Sequence, residues 1–197
     1  MNPDRPVTGS LILLDANVLY PINVCDFILT ASSLQLLARP IISAEILDEA
    51  LRNITANRPD LEPARIERRF NAVRTATDGH DRTGPDRFAD SSMINTKDRH
   101  VLAAALHHDV DYIVTNDAQL TTEITAWLSD RSRRHQLRAA ISPNQLTAAL
   151  IDESSAAVTA AITAMATRLR NPTRTVHEVA AVLNRTLPAI SALHLAG

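Results

Sequence analysis

Leu11-Ile12-Leu13-Leu14-Asp15 decides the fold: four consecutive apolar residues run straight into a carboxylate. A short stretch that is apolar on both faces reads as a strand of a parallel sheet with both faces covered. The pattern returns at Tyr112-Ile-Val-Thr115, again followed by polar residues, Asn116-Asp117. Outward from these two runs the spacing turns helical. Val24, Phe27, Ile28 and Ala31 predict a helix within Pro21 to Ala38, broken near Ser32-Ser33. Ile41 and Ile42 lead into Ser43, an N-cap for a helix running to about Ile54, and another helix starts near Pro63 with Ile66, Phe70 and Val73 inside. Further helices are expected over Thr96 to His108 and around Ile124, Trp127 and Leu128, with a last strand within Leu137 to Ile141. Alternating strands and helices make residues 1–142 an α/β unit with a mostly parallel sheet. From Pro143 the chain is Ala-rich and helical, with a capping-box signature at Thr175 and Glu178, so residues 143–197 read as a helical extension.

A chain of 197 residues with 45% apolar content can bury a core without disulfides or structural metal. Cys25 is alone, which excludes a disulfide scaffold and a Cys-rich zinc site and fits a reducing cytoplasm. Nothing resembles a membrane span, and Met1 to Ser10, with Asp4, Arg5 and two prolines, is not a signal peptide. The net charge of −2 excludes a globally basic nucleic-acid binder but leaves room for a local basic face. Aromatic residues are 3% of the chain, too few for an extended base-stacking surface.

The acids are the informative residues. Ligands of open α/β sheets bind beyond the carboxyl ends of strands, where Asp15 and Asp117 stand. Each alone is also a good turn or N-cap residue. Asp98 shares the helical sector of Val101 and Leu102, which puts a carboxylate on an inward face; the plainer reading is a first-turn acid favoured by the helix dipole. In the Ser43 helix, Ile46, Leu47, Ala50, Leu51 and Ile54 form the buried stripe. Glu45 lies opposite it, in solvent, while Asp48 and Glu49 flank it, and periodicity leaves the choice between those two open. Acids converging there would repel by about 4 kcal/mol per close pair at an effective dielectric near 20. Such a cluster makes sense around a hard cation, Mg²⁺ or Mn²⁺, which takes carboxylate and water oxygens.

Leu13-Leu-Asp-Ala-Asn-Val-Leu19, Ser43 with Glu49 six residues on, Lys97-Asp-Arg-His-Val-Leu-Ala-Ala-Ala105 and Ile113-Val-Thr-Asn-Asp117 together resemble the PIN-domain nucleases, over roughly residues 10–142. The helical tail is similar to VapC-type toxins of bacterial toxin–antitoxin pairs, in the subgroup with a C-terminal helical extension. The resemblance implies a three-layer PIN-like fold and RNA cleavage by metal-activated water. Asp15 would bridge the ions, Glu49 and Asp98 would complete the cage, and Asp117 would serve a second metal or its water. It thereby favours Glu49 over Asp48. Asn17, Thr115 and Asn116 match polar positions that orient acids or water. A cognate protein antitoxin is the partner it implies.

Around that site stand two basic groups: Arg65, Arg68 and Arg69 on one helical face, and Arg131, Arg133, Arg134 with Arg138. Charge runs are ordinarily solvated faces, but an acidic site needs positive charge nearby to hold a polyanion, so both are candidates for the RNA backbone. The seven histidines, His100 among them, show no zinc spacing and read as surface residues. Thr77 to Thr96, rich in Asp and Gly, reads as a long loop in which Asp90 is a further acid without support. Val158, Ile162, Met165 and Leu169 form a stripe that faces the main core or, alternatively, a homodimer or antitoxin interface. The rival functions are a PIN nuclease of housekeeping RNA processing and a catalytically silent PIN fold serving as a binding module.

Overall fold

The computed structural model describes residues 9–35, 38–79, 94–130 and 135–195. Asp90, Arg131, Arg133 and Arg134 lie outside the described residues. The Leu11–Leu14 run is the inner strand β1 (Ser10–Leu14), with Ile12, Leu13 and Leu14 fully buried. It pairs parallel with β2 (Ala38–Ile41) on one side and with β3 (Tyr112–Val114) on the other, and β3 pairs parallel with β4 (Ala139–Ile141). The order is β2-β1-β3-β4. The chain leaves β1 toward β2 and then returns past β1 to β3. The crevice between the carboxyl ends of β1 and β3 is therefore the topological switch point.

Helices α1 (Ala16–Leu19), α2 (Ile22–Gln35), α3 (Ala44–Asn57), α4 (Pro63–Ala76), α5 (Arg99–His107) and α6 (Ala118–Leu128) connect the strands, and α7 (Pro143–Arg168) and α8 (Val176–Asn184) follow. This is the α/β, three-layer architecture with a parallel sheet and a C-terminal helical extension that the sequence predicts. Three local expectations change. First, α2 does not break at Ser32-Ser33; Ser32 is buried and the Ser33 hydroxyl donates to the Thr30 carbonyl at 3.1 Å, so the helix runs through both serines. Second, β2 has no counterpart in the sequence reading, because Pro40 sits within it. An edge strand tolerates a residue without N–H. The outer edge of β2 is closed by Asp78, whose N–H reaches the Pro40 carbonyl and whose carbonyl accepts from Ile42. Gly79 follows at φ +77°, where a Cβ would stand 2.5 Å from Ile41, so only glycine fits that approach. Third, α5 begins at Arg99, after a 3-10 turn over Thr96–Asp98.

The extension is not a separate body. α7 starts at Ser142 with a complete capping box and packs along α2, burying Val158, Ala161, Ile162 and Met165 in the same core as the sheet. Leu169 departs from the expected stripe; it caps the helix and is 42% exposed. Within α7 the backbone leaves helical geometry at Ser154, whose hydroxyl accepts from the Ala157 N–H at 3.2 Å. Among the described residues no helix is long and apolar enough to cross a membrane.

Candidate functional site

Asp15 leaves the end of β1 at the switch point and is 6% exposed. Its Oδ1 accepts from the Ala16 N–H at 2.6 Å, capping α1. Its Oδ2 accepts from Asn17 Nδ2 at 2.7 Å and from the Thr115 hydroxyl at 2.6 Å. Thr115, at the end of β3, also accepts from Asn17 Nδ2 and from the Asp117 N–H, both at 3.0 Å. Asn17 Oδ1 in turn accepts from the Asn116 N–H at 2.9 Å. Every polar atom of Asn17 and Thr115 is thus spent on fixing Asp15 and the turn after β3. Burial pushes the Asp15 carboxyl above its ordinary pKa against the pull of Thr115 and Ala16, and nearby Glu49 pushes the same way.

Glu49 enters from the second turn of α3, which Ser43 caps by accepting from the Ile46 N–H. Its Oε2 lies 3.0 Å from His100 Nε2, close enough for an ion pair though off the line of a good hydrogen bond. His100 Nδ1 lies 2.9 Å from the Lys97 carbonyl. Both ring nitrogens therefore lie near oxygen acceptors, an environment that favours the protonated imidazole. Burial alone would lower the His100 pKa; its contact with Glu49, the Glu49 charge, the Lys97 carbonyl and Asp15 outweigh it and raise the pKa. The same contact with His100 holds the Glu49 carboxyl below its ordinary value, against burial.

Asp98 closes the 3-10 turn. Its Oδ2 is buried without a hydrogen-bond partner, with the Lys97 ammonium 3.7 Å away. Burial raises its pKa, Lys97 opposes, and the charges of Asp117, Glu123 and Glu49 raise it further. Asp117 caps α6 through Oδ1, which accepts from the Gln119 and Leu120 N–H groups at 2.8 and 3.0 Å. The capping role is therefore real, at a residue that follows the end of β3 at the switch point. The four acids form an electrostatic chain: Asp15 feels Glu49, and Asp98 feels Glu49 and Asp117.

Two residues belong here that the sequence reading missed. His100, read as a surface histidine, has a side chain only 14% exposed and sits between α5 and α3 against Glu49. The α-helical wheel turned it away from the Val101 stripe correctly; what it could not supply was the neighbouring helix on that side. Glu123 accepts from the Asn95 N–H at 2.8 Å and from Gln119 Nε2 at 2.8 Å, pinning the strip of chain that leads into Asp98. Its spacing of four from Gln119 on α6 was the available signal. Glu45, expected in solvent, is instead half-buried, with Oε2 shielded from water. The basic candidates separate. Arg65 and Arg68 are exposed, whereas Arg69 is half-buried and donates to the Leu19 and Tyr20 carbonyls. Arg138 pairs with Asp111 at 3.4 Å, on the sheet end away from the acids.

Among the described residues no three acids or histidines stand at ligating distance of a common point. The donor chemistry nevertheless fits a hard cation: the acids offer oxygen only, one Asp98 oxygen is buried without a hydrogen bond, and burial, with repulsion from neighbouring acids added to it, raises two of the four carboxyls. Comparison with known families gives two matches: the PIN domain over residues 12–122, and the VapC50 C-terminal domain over residues 143–193. No curated protein and no solved structure matches the chain.

Proposed function

The chain belongs to the PIN-domain family and is a VapC-type nuclease with a C-terminal extension, and from that premise we propose that it is a divalent-metal-dependent endoribonuclease, the toxin of a toxin–antitoxin pair. The observation that carries this reading is that Asp15 and Asp117 follow the ends of β1 and β3 at the switch point, Glu49 and Asp98 lie near enough for the acids to act on one another's charge, and one Asp98 oxygen is buried without a hydrogen bond. Asp15, Glu49 and Asp98 would hold Mg²⁺ or Mn²⁺, with Asp117 at the rim. When bound, such an ion supplies a nucleophilic hydroxide at neutral pH and neutralises charge on the phosphodiester. The residues themselves do the positioning. Thr115 and Asn17 fix the Asp15 carboxylate at one angle, and His100 favours the charged form of Glu49. Asn116 and Asn17 lock the turn that delivers Asp117. The reading also implies a protein antitoxin that blocks the site in the cell.

Cleavage of a single-stranded RNA tests it. Wild-type activity should require added Mg²⁺ or Mn²⁺ and stop with EDTA. Asp15→Asn, Glu49→Gln and Asp98→Asn should each abolish it and Asp117→Asn should weaken it, while Glu67→Gln on the exposed face of α4 should match wild type. Undiminished cleavage in EDTA would overturn the metal reading.

A further inference from the structure

The C-terminal extension forms one wall of a basic groove, and we propose that this groove is a second contact site for single-stranded RNA, one that grips the strand beyond the acids. The inference rests on the ribonuclease reading above and extends it to a part of the chain that the acids do not involve. The groove has a volume of about 560 Å³ and lies where the α1–α2 turn, the C-terminal end of α3, the start of α4 and the end of α8 meet. Arg58, Arg65, Arg69 and Arg185 line it, and no acid does. Two of these charges are already used: Arg58 is bidentate on Asp60, at 2.8 and 2.7 Å, and Arg69 donates to main-chain carbonyls. Arg65 on α4 and Arg185 at the end of α8 are exposed and have no acidic partner among the described residues. These two cations face one concavity from two different parts of the chain.

The second observation is aromatic. Tyr20, on the groove wall, is 38% exposed. Phe27, Phe70, Tyr112 and Trp127 are all buried, so Tyr20 is the only exposed Phe, Tyr or Trp among the described residues. A ring with free cations around it is the pairing that holds a nucleotide, base on the ring and phosphate on the guanidinium. Position agrees. Tyr20 directly follows α1, which Asp15 caps, and Arg58 is nine residues beyond Glu49, about 14 Å along the axis of α3. A strand crossing the acids would reach the groove within a few nucleotides.

Binding of a fluorescein-labelled twelve-nucleotide RNA to the full chain, followed by anisotropy in EDTA across a salt series, tests this without any cleavage. Arg65→Gln with Arg185→Gln should weaken binding roughly tenfold and lower the slope of log K against log [salt] by about 1.4, two single-strand phosphate contacts. Tyr20→Leu should weaken binding at least fivefold with the slope unchanged, since stacking is not ionic. Arg170→Gln, an exposed arginine elsewhere, serves as the control. Wild-type affinity and slope in the double variant would overturn the proposal, as would an equal loss in the control. So would unchanged RNA binding accompanied by lost binding of an acidic peptide, which would make the groove a protein site. Because no turnover is measured, loss of RNA binding in the groove variants would stand even if the acids proved inactive, and active acids with indifferent groove variants would sink the groove alone.

Discussion

Asp98 shows how a single side chain reports on its neighbours. Its Oδ2 is buried without a hydrogen bond, and burial together with three surrounding acids disfavours its charge. An acid whose pKa rises on folding costs stability once the pH exceeds its ordinary value, and the cost is complete above the folded value. Asp98→Asn removes that cost. In metal-free buffer at neutral pH the variant should therefore melt a few degrees above wild type, on a scale of roughly 2–4 °C per kcal/mol at this chain length. The gap should close as the pH falls toward the ordinary carboxylate range. Melting curves at several pH values check both statements. A variant that melts below wild type at neutral pH would mean that Lys97, not the neighbouring acids, governs the residue. Asp15→Asn is a poorer probe of the same repulsion: both carboxylate oxygens accept hydrogen bonds, so the new NH₂ would face a donor, either Asn17 and Thr115 or the Ala16 N–H.

Among the secondary-structure elements, the end of β3 does the joining. Thr115 donates to Asp15 at the end of β1, accepts from Asn17 in α1 and accepts from Asp117 at the start of α6. Thr115→Val keeps the shape and leaves buried partners unsatisfied, which costs about 1–3 kcal/mol. Urea unfolding should show that loss, and Thr115→Ser should recover most of it; equal stability of the Val and wild-type proteins would mean the hydroxyl is dispensable. The elements differ in how openly the sequence declares them. β1 and β3 are legible because burial on both faces leaves no polar residue in Leu11–Leu14 or Ile113-Val114. β2 is hidden by Pro40, a residue that argues against any strand except an edge. Asp98 was placed inward by an α-helical wheel, yet it occupies a 3-10 turn, where the wheel does not apply, and it reaches the acids by the path of the chain. His100 and Glu123 were illegible for a different reason: their roles depend on α3 and on Asn95 across the fold, and no local spacing encodes that.

At the scale of the whole molecule, the proposed metal site would couple ion binding to stability. If the native chain alone assembles them, Mn²⁺ or Mg²⁺ should raise the melting temperature with concentration; a hundredfold excess over Kd is worth about 2.7 kcal/mol, roughly 5–10 °C here. Glu49→Gln should blunt the rise. A melting temperature indifferent to both ions would separate the acids from any cation. The bond from Thr115 to Asp15 spans 100 residues, whereas β1 meets β2 within the first 41. Chains are made from the N-terminus at about 5–20 residues per second, so roughly 5–20 s pass between synthesis of Asp15 and of Thr115. For that interval a growing chain holds Asp15 without the Thr115 hydroxyl that ties it to the end of β3. On the proposed function, a messenger truncated anywhere before Thr115 should encode an inert product, and the chain should become dangerous to its maker only after more than half of it has been translated.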